Sequence, residues 1–234
     1  MPVETHNSIN LERDELNRYM GGGIPKNSMI LIEGVDGSGK SLICQRFIYS
    51  LLENKKKVTY ISTELNTLDF IKQMSSLRYP INSYILNRQL LFITMVPYLG
   101  KVKYQDNFLK EIMKKSELFQ NEIIIFDTLS FLLVREDSTD EEYYNIINFF
   151  RKLNNLNKTV IFTIDPDHLD KHFVKLLRSV ADIFINISFK EFAGQAVRTL
   201  EIQRFKRPMD TYMNKIPFRV EPLEGLIIEI GSFA

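Results

Sequence analysis

The sequence is poor in the residues that build covalent or metal-based scaffolds: its 234 residues contain one cysteine, no tryptophan and three histidines. A lone Cys44 excludes an internal disulfide framework and any cysteine zinc cluster, and the scattered His6, His168 and His172 do not suggest a metal site. Net charge is missing as well. With 30 basic against 29 acidic side chains the balance is +1, so no global field gathers nucleic acid and any polyanion contact must come from a local patch. No apolar run reaches the roughly 18 residues needed to cross a bilayer. The opening residues, Met1 to His6, lack the basic-then-apolar plan of a signal peptide. These absences predict a cytoplasmic protein that meets a membrane only through a partner.

What remains is an ordinary globular composition, 44% hydrophobic and 25% charged, sufficient to bury a core. Without a repeat, a low-complexity tract or a Pro/Gly/Ser linker, one domain over residues 1–234 is expected. Short β-branched runs recur along it, at Met29 to Glu33, Val58 to Ser62, Leu90 to Met95, Ile123 to Asp127, Thr159 to Thr163 and Ile183 to Ile187. Several are apolar at nearly every position, the pattern of strands covered on both faces in a mainly parallel sheet. Ser41 to Glu53 and Thr139 to Leu156 carry apolar residues at helical spacing, and that spacing favours the core for Tyr143, Tyr144, Phe149 and Phe150. After Ile187 the rhythm shortens. Val197 to Phe205, Pro217 to Glu221 and Leu226 to Ile230 predict antiparallel strands closing one edge of an α/β sheet flanked by helices.

One segment carries chemistry outright. Gly34-Val35-Asp36-Gly37-Ser38-Gly39-Lys40-Ser41 matches the P-loop pattern at every required place, directly after an apolar strand and before an amphipathic helix that Leu42 continues. Glycines there let successive N–H groups turn inward around phosphate oxygens, and the helix N-terminus adds partial positive charge. The expected ligand is a nucleotide with Mg²⁺: Lys40 bridges the β- and γ-phosphates and the Ser41 hydroxyl ligates the metal. Asp127, closing the strand Ile123 to Asp127, is the candidate second metal group, its alternative being a turn former or helix cap. Thr128 and Ser130 after it are read as orienting water or capping the next helix. Glu64, just beyond Val58 to Ser62, is the candidate for positioning the attacking water; alternatively it is the first-turn acid of a helix capped by Thr63.

The segment Asp14-Glu15-Leu16-Asn17-Arg18-Tyr19-Met20-Gly21-Gly22-Gly23-Ile24-Pro25, running into Ser28 to Ser41, goes beyond a generic P-loop. Together with Tyr60-Ile61-Ser62-Thr63-Glu64, Asp69-Phe70-Ile71-Lys72 and Ile124 to Ser130, it resembles the KaiC-like branch of the RecA superfamily over essentially the whole chain. Within that branch the chain is similar to the archaellum accessory ATP-binding family. The resemblance implies a RecA-like fold, ATP binding, assembly into a homo-oligomer such as a hexameric ring, and docking to the archaellum's secretion-type motor ATPase and membrane platform protein, with little or no turnover. It also implies peripheral association with a membrane motor.

Two departures qualify the resemblance. KaiC-type ATPases carry paired glutamates where this chain has Glu64 followed by Leu65, which puts efficient hydrolysis in doubt. Their rings reach a neighbour's γ-phosphate with a Lys-x-Arg pair, and here the order is exchanged, Arg204-Phe205-Lys206. A rigid guanidinium fork and a point charge are not equivalent at a phosphate. Arg204 and Lys206 are the candidate trans-acting residues, their alternative being solvated cations on an edge strand. An active ATPase or autokinase, and less favoured a DNA-binding recombinase using Lys101, Lys103 and Lys110, are the competing classes. The run Lys55-Lys56-Lys57 reads as a solvated turn.

Overall fold

The computed structural model describes residues 5–95, 108–133, 139–192 and 195–229. The chain opens with β1 (His6–Asn7), α1 (Leu16–Tyr19) and β2 (Ile24–Pro25), then β3 (Met29–Glu33), α2 (Lys40–Glu53) and β4 (Val58–Ser62). Next come α3 (Thr67–Ser76), α4 (Asn82–Leu86), β5 (Leu90–Thr94), α5 (Phe108–Lys114) and β6 (Ile123–Asp127). The rest is α6 (Asp140–Asn155), β7 (Thr159–Ile164), α7 (Lys171–Val180) and four strands, β8 (Ile183–Phe192), β9 (Gln195–Phe205), β10 (Lys215–Glu221) and β11 (Gly225–Ile228).

Nine of these strands form one sheet in the order β11-β10-β9-β8-β3-β7-β6-β4-β5. From β8 to β5 every pairing is parallel, and β9, β10 and β11 add antiparallel at the other side. The expected architecture is therefore observed: a mostly parallel α/β sheet with an antiparallel C-terminal edge. Continuously apolar strands are the reason, because helices lie on both faces. In β3, Ile30 and Ile32 point to one core cluster with Ile43, Phe47 and Leu51 of α2, while Met29 and Leu31 point to the other with Phe150 and Phe173 of α6 and α7. Cys44 is buried in the first cluster.

Differences from the sequence-based boundaries fall mostly at strand and helix ends. β8 runs five residues beyond the expected Ile187, to Phe192, because it continues pairing with β9 after its last β3 partner, Asn186 opposite Glu33. α6 begins after Thr139, which accepts from the Glu142 N–H while the Glu142 side chain returns to the Thr139 N–H, a reciprocal cap. Tyr143, Phe149 and Phe150 are core residues as expected, whereas Tyr144 points outward, 50% exposed.

The lead-in to the P-loop is fixed by buried chemistry. Arg46 of α2 is fully buried and donates from Nε and Nη2 to the two carboxylate oxygens of Asp14, at 2.8 and 2.5 Å, and from Nη1 to the Ile9 carbonyl. In the Gly21-Gly22-Gly23 turn all three residues have positive φ, and a Cβ on Gly23 would stand 2.6 Å from the Asn7 carbonyl.

Candidate functional site

β3 sits where the chain's crossovers diverge, with β7 on one side and β8 on the other, so the segment leaving its carboxyl end lies in the crevice where α/β sheets bind ligands. That segment is Gly34 to Gly39. Gly37 and Gly39 have φ of 69° and 105°, and Gly39 serves as the left-handed cap before α2. Space above Gly37 is open, whereas a Cβ on Gly34 would collide with Ser38 Oγ. Ser38 Oγ is buried and has no hydrogen-bond partner, an orphaned group of the kind a ligand oxygen satisfies. Lys40 folds back along the loop, its Nζ donating to the Gly34 and Val35 carbonyls at 2.8 and 2.9 Å. Val35 and Asp36 face outward at the loop's tip; Ser41 and Leu42 stand partly buried on the first turn of α2.

Beneath the loop the carboxyl ends of β4, β6 and β7 converge on Asp127. It is only 4% exposed and accepts from Ser41 Oγ at 3.0 Å, Thr163 Oγ1 at 3.0 Å and the Tyr60 hydroxyl. Burial holds its carboxyl above the ordinary carboxylate range, partly offset by the Tyr60 hydrogen bond. Burial and the Asp127 charge together push the Tyr60 hydroxyl far above its usual value, so it stays a donor. The two residues expected to share a metal thus touch directly. The sequence reading did not include Tyr60 or Thr163 in the site; both sit on apolar strands, where period-2 burial gives no sign that one hydroxyl turns toward the acid.

Glu64 is exposed, and its Oε1 accepts from Thr128 Oγ1 at 3.0 Å. Thr128 also lies 3.5 Å from Asp127 Oδ1, bridging the two acids. The helix-cap alternative for Glu64 does not hold: α3 starts at Thr67, its cap is Asn66, and Thr63 instead exchanges hydrogen bonds with Asp127 and Thr128 backbone groups. Ser130 lies inside the short 3-10 helix Leu129–Leu132 rather than at its cap, and its Oγ accepts from the Asp165 N–H.

The late cations lie apart from the loop in this chain. Arg204 donates from Nη1 to the Arg178 and Ala181 carbonyls, at 2.6 and 3.1 Å. Arg178 in turn forks onto Glu33, the residue before Gly34. Lys206 follows the last residue of β9 and pairs with Asp182 at 3.3 Å. Of the loose basic stretch, Lys110 pairs with Glu142 at 2.7 Å, while Lys101 and Lys103 lie outside the described residues. No helix among the described residues is long and apolar enough to cross a membrane.

A family model described as "ATPase: KaiC" matches residues 13–231. The archaeal flagellar ATP-binding protein FlaH of Methanocaldococcus jannaschii is 38% identical over 226 residues, covering 97% of both chains. The crystal structure of flagellar accessory protein FlaH from that organism superposes with a TM-score of 0.89 at 37% identity, covering 97% of this chain and 100% of that one. A KaiC-like protein from Pyrococcus horikoshii shares the fold, with a TM-score of 0.75 at 18% identity over 96% of this chain and 98% of that one. Matched by that family model over residues 13–231, the present chain belongs to the KaiC family of ATPases.

Proposed function

We propose that this chain is an ATP-binding regulatory and assembly component of the archaeal flagellar motor, in which nucleotide drives ring formation and docking to the motor ATPase and its membrane platform, with slow or no hydrolysis. One observation carries the binding half of this reading: the P-loop and Asp127 are joined through the Ser41 hydroxyl on a floor that is already hydrogen-bonded. The donor set fits a magnesium nucleotide. Ser38 Oγ lacks a partner, the space over Gly37 is open, and Ser41 with Asp127 offers the hard oxygen ligands that Mg²⁺ takes. Lys40 and the loop N–H groups would hold the phosphates, and bound Mg²⁺ would neutralise charge between them.

The motor assignment rests on the likeness to archaeal flagellar ATP-binding proteins. Slow turnover is supported by the site itself: the exposed Glu64 is followed by Leu65, which presents no second acid. A hydrolysing ATPase is the second reading, and the Thr128–Glu64 hydrogen bond favours it, because it holds a carboxylate beside the metal acid. Following phosphate release and particle mass together, with Mg²⁺ and ATP under single-turnover conditions, decides between them. Intact ATP on a particle growing toward a ring is the expected result. Release of ADP and phosphate within seconds by an unchanged monomer would overturn it.

A further inference from the structure

The end of the sheet opposite the P-loop collects cations that lie far apart in the sequence. The connections entering β3, β4, β5, β6 and β7 meet there with the one leaving β9. Gln89 Nε2 donates to the Leu52 and Lys56 carbonyls, the Ile123 N–H to the Lys57 carbonyl and Lys158 Nζ to the Gln120 carbonyl. Asn27 Nδ2 donates to Asn157 Oδ1, and Arg207 Nη2 to the Asn27 carbonyl. Lys55, Lys57, Arg88, Lys206 and Arg207 are exposed on this end, and Lys26 and Lys56 share its connections. Among the described residues, the side chains of Lys55, Lys57 and Arg88 make no hydrogen bond or ion pair. The acids here are Glu53, Glu117, Glu122, Asp182 and Asp210, and Asp182 is paired with Lys206 and Arg207. Cations therefore prevail locally, although the whole chain is balanced at +1.

Apolar side chains stand out beside these charges. Leu86, two residues before Arg88, is 84% exposed; Leu156, two before Lys158, is 58% exposed; Met209, two after Arg207, is 60% exposed. Helix carbonyl ends favour cations, which accounts for Lys55 just beyond α2 but not for leucines held in water. Lys55, Arg88 and Arg207 each hold a φ of 61°, where glycine or asparagine sits with less strain, and Asn27 and Asn157 on the same end follow that preference.

We infer that this end of the sheet lies against the anionic headgroups of a lipid bilayer, with Leu86, Leu156 and Met209 entering the interface and the P-loop facing away. This adds a direct lipid contact to the docking proposed above, in place of the purely partner-borne contact expected from the sequence. Breadth is the first support. The cations run from β5 to β9, across seven adjacent strands and so about 30 Å, which suits a planar polyanion rather than a small ligand. Composition is the second. Lysine and arginine interleaved with exposed aliphatic side chains make an interfacial anchor, the charge drawing the protein to anionic lipid and the apolar tips sinking below the headgroups. A single-stranded nucleic acid would be met with aromatic faces, and the exposed apolar side chains here are aliphatic. No described helix can cross a bilayer, so the contact is peripheral.

The test is flotation of the full chain with vesicles of phosphatidylcholine mixed with phosphatidylglycerol, and with vesicles of phosphatidylcholine alone. Wild type should float with the anionic vesicles and not with the zwitterionic ones, and rising salt should release it. Lys55→Gln, Lys57→Gln and Arg88→Gln combined should weaken vesicle binding about 100-fold. Leu86→Ala combined with Leu156→Ala should weaken it about tenfold. All five side chains are exposed and lie at the far end from the P-loop, so urea midpoints should match wild type in both variants, which separates a lost contact from a lost fold. Equal flotation with the two vesicle types, flotation with neither, or unchanged flotation of either variant would overturn the inference. So would tighter binding to DNA than to anionic vesicles, lost in the triple glutamine variant, because the face would then be a nucleic-acid surface.

Discussion

Asp127 and Glu64 both lie within reach of the Thr128 hydroxyl, at 3.5 and 3.0 Å, and their surroundings are opposite. Asp127 sits under the loop at the end of a central strand, enclosed by hydroxyls from α2, β4 and β7. Glu64 stands on an exposed turn with one hydroxyl for company. A group held by several fixed donors is positioned to bind, because its geometry is set before a ligand arrives. A carboxylate tethered once on the rim keeps its freedom, and catalysis on water needs more restraint than that. The floor of the site is thus fixed by several hydrogen bonds and its rim by one, the difference on which the proposed slow turnover rests.

The sharpest way to break this contrast is to remove the floor. Asp127→Ala leaves the partly buried Ser41 and the buried Tyr60 and Thr163 hydroxyls without their acceptor and should destabilise the fold by about 3 kcal/mol, read by urea denaturation. It should also abolish Mg²⁺-dependent ATP retention. If Asp127→Ala is as stable as wild type and binds Mg²⁺-ATP normally, the floor has been misread. Lys40→Ala comes next. It removes a charged donor without opening the core, so ATP affinity should fall about 100-fold while urea stability changes little.

Much of this was legible from residue order alone. The P-loop, its strand and its helix follow from Gly34 to Ser41 because each glycine and the lysine have a stated steric or electrostatic task. Asp127 stood out because a P-loop upstream calls for an acid at the end of another buried strand, although an acid there is by itself often a turn former or helix cap. What could not be read depends on direction and register. Tyr60 looks like any aromatic in a buried strand, yet its hydroxyl reaches Asp127. Arg198 looks like a solvated strand residue, and only the extension of β8 and β9 beyond β3 puts it against Gly39. Glu64 was found as a candidate, but the rival role as a helix acid was removed only by the observed start of α3.

The rim is sharpened by a smaller effect. Glu64→Gln keeps the size and the hydrogen bond from Thr128 and should leave ATP affinity within about twofold. Whatever slow phosphate release the wild type shows should drop by about 100-fold, the lower range for loss of a general base. Thr128→Val, which frees Glu64 from its tether, should lower release less. Equal release from Glu64→Gln and wild type would mean that this carboxylate does not act on water, and that any turnover proceeds without a base at the rim.

The smallest expected effect concerns Lys206. Its pair with Asp182 is half-exposed at 3.3 Å, and surface pairs of that kind contribute at most about 0.5 kcal/mol, so Lys206→Ala should unfold at nearly the wild-type urea concentration. Arg204 is a different case, because its guanidinium satisfies two backbone carbonyls and its loss alters the chain itself. Lys206 is therefore the cleaner probe of the trans-acting role. If a neighbour's phosphates are contacted across a ring, Lys206→Ala should bind ATP normally as a monomer and yet fail to enlarge on ATP addition, measured by light scattering. If it assembles as wild type does, Asp182 is the whole of its purpose, and the bond between subunits must be sought elsewhere on the sheet's C-terminal edge.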